Sequence, residues 1–517
     1  MKIKNPNKFS LLFLYPLIFG IFPVIHLYLV NYFQIEFFRV IRSILFSVVI
    51  SGLIEIALFL ITRRALITRL TSTAIISIIF NYGAIYSFLV DHPIFGIMLG
   101  RARFLIPITL IVFCSFIFLI IWKKSILKPV DWFFSAISLI LMILMVFNMG
   151  SLLYTSKRAN IGNSQDKNNV IVQNQVTKPD IYNIVLDGYT NSTALEEDFG
   201  FDNSSFENEL KSLGFIVPKN SFSNYDETVS SLSSSLNMDW VSNLVQGHEI
   251  DPYRIKLVDK LVNNDVRGIL TDQGYKIFTF ENEFKWSLWT NVDFYETPRS
   301  RKLITSPLNS FELMFIKNTI GCLAINYDKL IFNRFLDNIG KANLDKYQEQ
   351  SYIFNTLGNL PEYVTPKFVF AHITTTHVPY VFDENGSSMP MEFQGSNDNT
   401  DFNDPRIKDG YIISIKYTNR RILEIVSKIV ADDPNAIIII QGDHGYPGEH
   451  RHNIFLAIYD KKSSINQNDC ITPINLYRYL FNNWFDSSLP IVDDEIFKTV
   501  ISEQYQYQLI GTCSDLP

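Results

Sequence analysis

Residues 435–445 read NAIIIIQGDHG, and this stretch is the clearest indication of the fold class of the C-terminal part of the chain. Four consecutive isoleucines are typical of a strand that is buried on both faces, as the strands of a parallel sheet are. The run ends on Asp443 and His444, followed by a glycine. Ligand sites in open α/β sheets lie outside the carboxyl ends of the strands, so both side chains are candidate site residues. The alternative is a strand-end turn in which Asp443 is only a cap.

Comparable apolar runs recur in the C-terminal part, and helix-like segments such as 408–430 lie between them. One run ends on Asp187, and another leads into a segment that carries His372 and His377. Strands that alternate with helices predict an α/β fold with a largely parallel central sheet. The runs are PDIYNIVLDGYT (179–190), GYKIFTFEN (274–282), KFVFAHITTTH (367–377) and NIFLAIYD (453–460).

Five apolar stretches precede this part, and each is long enough to cross a bilayer as a helix, which takes about 20 residues. Residues 1–152 carry 13 Lys and Arg against 4 Asp and Glu, whereas the whole chain has a net charge of −6. A basic, apolar N-terminal part and an acidic, polar C-terminal part predict a membrane part followed by a water-facing part. The acidic charge of the C-terminal part also argues against nucleic acid as a partner. Buried helices of a soluble protein are the disfavoured alternative. The predicted spans are 10–32, 40–62, 71–90, 104–122 and 131–153.

The distribution of Lys and Arg predicts the orientation, because cytoplasmic loops carry the excess. The more basic side puts the N-terminus in the cytoplasm, so five crossings place the C-terminal domain outside the cell inner or plasma membrane. His26 and Glu55 are the clear ionisable groups within the spans, which is too few to favour ion transport. The counted residues are Lys2, Lys4, Lys8, Arg63, Arg64, Arg69, Lys123, Lys124 and Lys128 on one side, and Arg39, Arg42, Arg101 and Arg103 on the other.

Composition also predicts the domain boundaries. We expect an anchor at 1–153, a polar linker at 154–179 that ends at a proline, and one C-terminal domain at 180–517. Outside the apolar runs the cysteines are Cys322, Cys470 and Cys513, which allow at most one disulfide among themselves. The sequence does not choose the pair, and the lack of a CxxC motif disfavours a zinc ribbon or a thioredoxin-type site.

The strand ends predict a metal site. Carboxylate oxygens from Asp187 and Asp443, together with imidazole from His377 and His444, suit a divalent cation. A candidate nucleophile lies in SFSNYDETVSSLSSSLNM (221–238), where Thr228 begins a helix-like run. A hydroxyl at a helix N-terminus lies in a positive field, and a bound metal would lower its pKa further. Alternatively this threonine is an ordinary N-cap, and the neighbouring serines are rival nucleophiles.

The order of these residues resembles the alkaline phosphatase superfamily, and within it the membrane-anchored sulfatase-like proteins. These include lipoteichoic acid synthases and the phosphoethanolamine transferases that modify lipid A. The resemblance implies a five-helix transmembrane bundle followed by an α/β alkaline-phosphatase/sulfatase-like domain with one or two divalent ions (Mn, Mg, Zn or Ca). It implies Asp187, Thr228, Asp443 and His444 as metal ligands, although those two enzyme groups usually have Glu at the first position. It further implies Thr228 as the nucleophile and His377 as the group that contacts the transferred phosphoryl or the leaving oxygen.

Four further residues are substrate-binding candidates. His372 lies five residues before His377, and either His450 or His452 would match a histidine that often follows Asp-His-Gly in the lipid A enzymes. Arg451 is an anion clamp or a surface charge. No x-Pro-x-Arg follows Thr228 or any cysteine, which disfavours a formylglycine-type sulfatase.

The resemblance implies a function. It predicts a metal-dependent transferase that moves phosphoethanolamine or phosphoglycerol from a membrane lipid donor to a cell-envelope glycan or lipid acceptor, through a phospho-threonine intermediate. A membrane-bound phosphate or sulfate ester hydrolase and a non-catalytic envelope scaffold are the open alternatives.

Overall fold

The chain forms two compact units. The described residues of Met1–Thr155 and Lys302–Ala342 belong to the first, and those of Ser156–Arg301 and Asn343–Pro517 to the second. The predicted cytoplasmic residues Lys2, Lys4 and Lys8, and most of the predicted linker, lie outside the described residues. The computed structural model describes residues 15–32, 35–93, 98–162, 178–245, 254–282, 284, 286, 289, 291–298, 308–326, 343–363, 365–395, 400–500 and 505–515.

The first unit, hereafter the helical unit, contains the apolar N-terminal helices. Among the described residues, four helical stretches are long and apolar enough to cross a membrane, and Tyr15–Val30 is a shorter apolar helix. The prediction of five spans is therefore not confirmed, since the first predicted span, 10–32, begins outside the described residues. The helices are α1 (Tyr15–Val30), α2 (Ile41–Thr62), α3 (Ala65–Asp91), α4 (Ala102–Trp122) and α5 (Leu127–Gly162), with 3-10 turns at Phe37–Val40 and Lys124–Ile126.

The outer faces of these helices are apolar. Val146 is 68% exposed and Phe147 is 70% exposed, and many other large apolar side chains of the unit are exposed as well. A water-soluble protein rarely exposes contiguous apolar surface on this scale, whereas a helix in hydrocarbon has no reason to bury it. The exposed faces therefore agree with a membrane protein.

An inserted segment, residues 308–326, also belongs to the helical unit although the sequence places it within the predicted domain 180–517. Phe311 and Phe315 are buried in an apolar cluster with side chains of α1 and α3, and Phe315 stacks on Phe80. Glu312 accepts a hydrogen bond from Arg42 Nε at 2.6 Å. A Cβ atom at Gly83 would lie 1.9 Å from the Lys317 carbonyl oxygen, so only glycine permits this approach of the two backbones. The boundaries 1–153, 154–179 and 180–517 remain predictions.

The second unit is built on a six-stranded sheet of order β4-β3-β5-β1-β6-β7. All neighbouring pairs are parallel except β6 with β7, so the predicted α/β fold with a largely parallel sheet is confirmed. Every residue of β1, β5 and β6 is buried, which explains their continuous apolar runs. The strands are β1 (Ile181–Leu186), β2 (Asn220–Ser221), β3 (Lys276–Phe280), β4 (Phe294–Glu296), β5 (Lys367–Ile373), β6 (Ile437–Gly442), β7 (Leu456–Tyr459), β8 (Cys470–Ile471), β9 (Glu495–Thr499) and β10 (Tyr507–Thr512).

Helices pack on the sheet and complete the core. The longest of them, at 405–432, begins with a proline after Asp404, whose side chain caps the helix by accepting from the Arg406 N–H. The helices that follow α5 in chain order are α6 (Ser192–Phe199), α7 (Ser204–Ser212), α8 (Thr228–Asn237), α9 (Val241–Leu244), α10 (Ile255–Val262), α11 (Asp265–Asp272), α12 (Ser310–Asn318), α13 (Cys322–Asn326), α14 (Leu344–Leu357), α15 (Met391–Gln394), α16 (Pro405–Asp432) and α17 (Leu476–Trp484). Short 3-10 turns lie at Leu360–Glu362 and Pro473–Asn475.

A C-terminal hairpin of β9 and β10 lies outside the six-stranded sheet. A disulfide between Cys470 and Cys513 ties the end of the hairpin to β8, which pairs with β2. Cys322 is a buried free thiol in the helical unit. One disulfide therefore forms among the three cysteines, as the sequence allows, and the structure supplies the pair.

Candidate active site

Parallel register brings the predicted strand-end residues together. Leu186, the last residue of β1, lies opposite Gly442, the last residue of β6, so the residues that follow these strands are neighbours. One ligand atom from each of Asp187, Asp443 and His444 lies within 4.8 Å of the others, and all three residues are buried. The left-handed backbone at Gly188 (φ 72°) lets its N–H donate to Asp443 Oδ1 at 2.9 Å. Two strand ends and one turn thus form the cluster.

Thr228 adds a hydroxyl to this cluster. It is the first residue of α8, and its Oγ1 lies 3.1 Å from His444 Nε2. Glu227 occupies the N-cap position, so the alternative that Thr228 is the cap does not hold. Thr228 is partly exposed, whereas every later residue of α8 is buried. Its hydroxyl is therefore the one on this helix that a substrate can reach.

The neighbouring serines, which the sequence left as rival nucleophiles, are occupied elsewhere. Ser233 donates to the Leu257 carbonyl at 3.1 Å, Ser234 to the Asp239 carbonyl at 2.7 Å, and Ser235 to the Pro473 carbonyl at 3.2 Å. All three are buried, so they link α8 to the surrounding structure. Their bonding favours Thr228 as the reactive hydroxyl.

The hydrogen bonds of His444 fix its tautomer. Nδ1 lies 3.0 Å from the Gly445 carbonyl oxygen, which only accepts, so Nδ1 carries the proton and Nε2 presents its lone pair. Nε2 is 3.6 Å from Asp187 Oδ1 and 3.5 Å from Asp443 Oδ2. Burial, with the nearby Arg451 charge, lowers the pKa of His444 to about 3. A neutral imidazole with its second nitrogen held by a carbonyl is the form that binds metal ions.

The carboxylates complete a donor set that fits a cation. Both oxygens of Asp187 and the Oδ2 of Asp443 are buried without a hydrogen-bond partner within the described part of the chain. Burial and the Asp187 charge raise the pKa of Asp443 to about 6. Burial opposes ionisation of Asp187 too, but His377, His372 and His444 outweigh it and keep the pKa of Asp187 below its usual range. Buried carboxylate oxygens that lack donors and face an imidazole lone pair fit a divalent ion.

The two histidines of the β5 region lie beside the cluster. Asn282 Nδ2 lies 3.1 Å from His372 Nδ1, and because an amide nitrogen only donates, His372 carries its proton on Nε2. That Nε2 is 3.4 Å from Asp187 Oδ2, so His372 faces the predicted metal ligand. His377 is partly exposed, with Nδ1 2.6 Å from the Val378 carbonyl, and Lys346 Nζ donates to the His377 carbonyl at 3.0 Å. His377 therefore keeps Nε2 for other contacts.

The three substrate-binding candidates in the loop after β6 make different contacts. Arg451 donates to the Asp226 carbonyl from Nε at 3.0 Å, and a second guanidinium nitrogen lies 3.2 Å from His444 Nε2. His450 instead contacts Asp198 at 2.9 Å, and His452 is buried with Nδ1 3.2 Å from the Ser223 carbonyl. Of the three, Arg451 is the one whose side chain reaches the cluster.

Two rings of the aromatic stretch 284–290, those of Phe284 and Trp286, contribute to the wall of the site. Phe284 and Trp286 stack on each other, and they pack against His377 at 5.7 Å and His372 at 5.0 Å between ring centroids. Asn282, which orients His372, was not identified as a site residue from the sequence. Asn282 ends the strand-like run 274–282, so the rule that site residues follow strand ends would have identified it. Nothing in the sequence around Lys346 points to its contact with His377.

No family model matches this sequence, and no curated protein matches it either. Similar solved structures include the C-terminal periplasmic domain of EptC from Escherichia coli in complex with Zn, at 11% identity and a TM-score of 0.40 over 68% of this chain and 96% of that chain. The corresponding domain of phosphoethanolamine transferase EptC from Campylobacter jejuni matches at 11% identity and TM-score 0.38, over 62% and 92% of the two chains. The lipoteichoic acid synthase LtaP from Listeria monocytogenes matches at 11% identity and TM-score 0.33, over 63% and 78%.

These proteins are of the kinds that the motif order resembles. At such low identities and TM-scores the matches assign no activity to this chain. The case for a function therefore comes from the geometry of Thr228, His444 and the two buried carboxylates.

Proposed function

We propose that this chain is a metal-dependent enzyme that moves a phospho-alcohol group through Thr228, with Asp187, Asp443 and His444 as metal ligands. The observation that carries the proposal is the 3.1 Å approach of Thr228 Oγ1 to His444 Nε2, at the point where two buried carboxylates also converge. A purely structural cluster would pair its buried oxygens with donors. Instead Asp187 presents two oxygens that accept no hydrogen bond within the described residues.

The donor set supports a borderline metal. Imidazole beside two carboxylates suits Zn²⁺ or Mn²⁺ better than Ca²⁺ or Mg²⁺, which prefer all-oxygen sites. The proposed site holds one or two such ions. A divalent ion bound there would lower the pKa of the Thr228 hydroxyl and offset charge on a phosphoryl oxygen.

The residues of the chain supply the remaining steps. The Thr228 hydroxyl gives up its proton to solvent, and Oγ1 attacks phosphorus in line. The bond between phosphorus and the diacylglycerol oxygen breaks, which gives a phospho-threonine that still carries the head-group alcohol. His377 protonates the leaving oxygen, and the Arg451 guanidinium binds the phosphoryl oxygens. An acceptor hydroxyl then attacks the phosphorus of the phospho-threonine and passes its proton to His377, and the bond between phosphorus and Oγ1 breaks, which regenerates Thr228. The N-terminus of α8 adds a favourable field for the anionic group.

Transfer between envelope components is the favoured reaction. The apolar helical unit would hold the site near lipid head groups, so phosphatidylethanolamine or phosphatidylglycerol is the proposed donor, and an envelope glycan or lipid the acceptor. The Cys470–Cys513 disulfide supports an extracytoplasmic location, because cytosolic thiols are kept reduced. A hydrolase would differ only in using water as the acceptor, and a scaffold would bind no metal.

The test uses the full chain in mild detergent. Elemental analysis compares wild type with Asp443→Ala, and fluorescent phospholipids with different head groups report turnover. We expect near-stoichiometric metal that is lost in Asp443→Ala, and head-group release by wild type but not by Thr228→Ala. Ser234→Ala is the matched control, since it removes a hydroxyl from the same helix away from the cluster.

The outcomes separate the alternatives. Head-group release without labelling of an acceptor would favour the hydrolase. Absence of metal from both wild type and Asp443→Ala would leave the scaffold, and full activity of Thr228→Ala would refute the proposed mechanism.

A further inference from the structure

The C-terminal hairpin lies against the segment that precedes α8, the helix that begins with Thr228. The Phe497 N–H donates to the Asn224 carbonyl at 2.9 Å, and Asn224 Nδ2 donates back to the Glu495 carbonyl at 2.9 Å. These reciprocal bonds join β9 to the chain four residues before Thr228. The hairpin therefore borders the candidate active site although it is far from it in sequence.

Asp226 connects the hairpin to the metal cluster. Its Oδ1 accepts from the Thr499 N–H at 3.1 Å and also from the Thr499 hydroxyl. Its carbonyl accepts from Arg451 Nε at 3.0 Å, and Arg451 in turn lies 3.2 Å from His444 Nε2. A displacement of β9 would thus be transmitted both to the backbone two residues before Thr228 and to the guanidinium beside the cluster.

Tyr507, on the other strand of the hairpin, contacts both α8 and the segment before it. The Tyr507 hydroxyl is 2.8 Å from Ser230 Oγ, two residues after Thr228. The ring of Tyr225 stacks on Phe497 at 5.4 Å and meets Tyr507 edge-on at 4.8 Å. Contacts from the hairpin therefore flank Thr228 on both sides in sequence.

The hairpin needs an anchor of its own, because an isolated two-stranded hairpin is only marginally stable. The Cys470–Cys513 disulfide ties its end to β8, and Cys513 N–H donates to the Asp494 carbonyl at 2.8 Å. Thr472, next to β8, donates to Asp494 Oδ1 from its N–H at 3.0 Å. The disulfide and these bonds fix both ends of the hairpin to the body of the second unit.

We propose that the C-terminal hairpin is a positioning element for Thr228 and Arg451, in which Thr499 and Tyr507 are positioning residues. The inference rests on the proposed function, since it concerns the same nucleophile. A reacting atom displaced by about 1 Å can lower the rate of an enzyme by about 10²-fold. The loss of one hairpin contact, with others remaining, is expected to lower the rate by about 10-fold.

The experiment compares single-atom changes within the hairpin of the full chain. Thr499→Val removes the hydroxyl that bonds Asp226, and Tyr507→Phe removes the hydroxyl that bonds Ser230 while keeping the ring on Tyr225. Thr512→Val is the matched control, because its hydroxyl bonds Asp515 at the far end of the hairpin. The readouts are the single-turnover rate of phospho-threonine formation, KM for a fluorescent phospholipid, bound metal and Tm.

We expect Thr499→Val and Tyr507→Phe to form phospho-threonine about 10-fold more slowly than Thr512→Val, with the same metal content, KM and Tm. Equal rates in all three variants would overturn the inference. A slower rate that is accompanied by proportionate loss of metal or of folded protein would overturn it as well, because that result indicates a merely structural role.

Thr228→Ala separates this inference from the proposed function. If wild type is active and Thr228→Ala is inactive, equal rates in the hairpin variants refute the positioning role alone. If Thr228→Ala is as active as wild type, the proposed function itself fails.

Discussion

Removal of the His372 imidazole should weaken metal binding, even though His372 is not among the proposed ligands. Its Nε2 lies 3.4 Å from Asp187 Oδ2, and the Asn282 amide keeps the proton of the ring on that nitrogen. Such outer contacts orient a ligand and keep it ionised. His372→Phe keeps an aromatic ring against Trp286, which lies 5.0 Å from the imidazole, and deletes the donor.

The expected magnitude follows from the length of this contact. Loss of an outer partner typically costs about 10–100-fold in metal affinity. Because 3.4 Å is longer than an ordinary hydrogen bond, we place the effect at the lower limit, about 10-fold or about 1.4 kcal/mol. His372→Gln, which retains an N–H donor, should recover part of that affinity.

Competition between the full-length protein and a zinc chelator of known affinity measures the effect directly. The control is His450→Gln, since His450 contacts Asp198 and lies away from the cluster. Wild-type affinity in His372→Phe, or an equal loss in His450→Gln, would refute the assigned role of the imidazole.

Three further predictions follow from burial, covalent structure and charge. Phe315→Ala should destabilise the helical unit by about 3 kcal/mol in detergent thermal unfolding, because the ring is 3% exposed, and the 41% exposed Ile320 provides an Ile→Ala control with a smaller loss. Replacing both Cys470 and Cys513 by Ser should cost up to about 4 kcal/mol, measured as the midpoint shift in denaturant, and no change would contradict the disulfide. Zinc affinity should fall as the pH drops through about 6, where Asp443 takes up a proton, and a titration flat from pH 5 to 8 would contradict that pKa.

The strand-end residues could be predicted because the continuous apolar runs of β1 and β6 indicate strands that are buried on both faces. Asp187 and the pair Asp443 and His444 stand where those runs stop, and the parallel register brings them together. Thr228 begins α8, as the helix-like spacing after it predicts.

Other parts of the site depend on contacts that spacing does not encode. His372 lies within β5, opposite Val185, and the order of strands in the sheet decides that its imidazole meets Asp187. The choice among His450, Arg451 and His452 is made by turns after β6, where consecutive side chains point in different directions. The place of residues 308–326 was also beyond prediction, because Glu312 and Arg42 are 270 positions apart.

The location of the inserted segment 308–326 means that one cut cannot divide this protein into a membrane piece and a soluble piece. The chain passes from one unit to the other after residues 155, 301 and 342, so proteolysis in the linker alone would leave the second unit covalently joined to segment 302–342 of the helical unit. A fragment that starts at residue 180 would carry Phe311 and Phe315 without their apolar cluster, and Glu312 without Arg42. A soluble fragment without these unpartnered side chains therefore requires deletion of residues 302–342 as well, with residue 301 joined directly to residue 343.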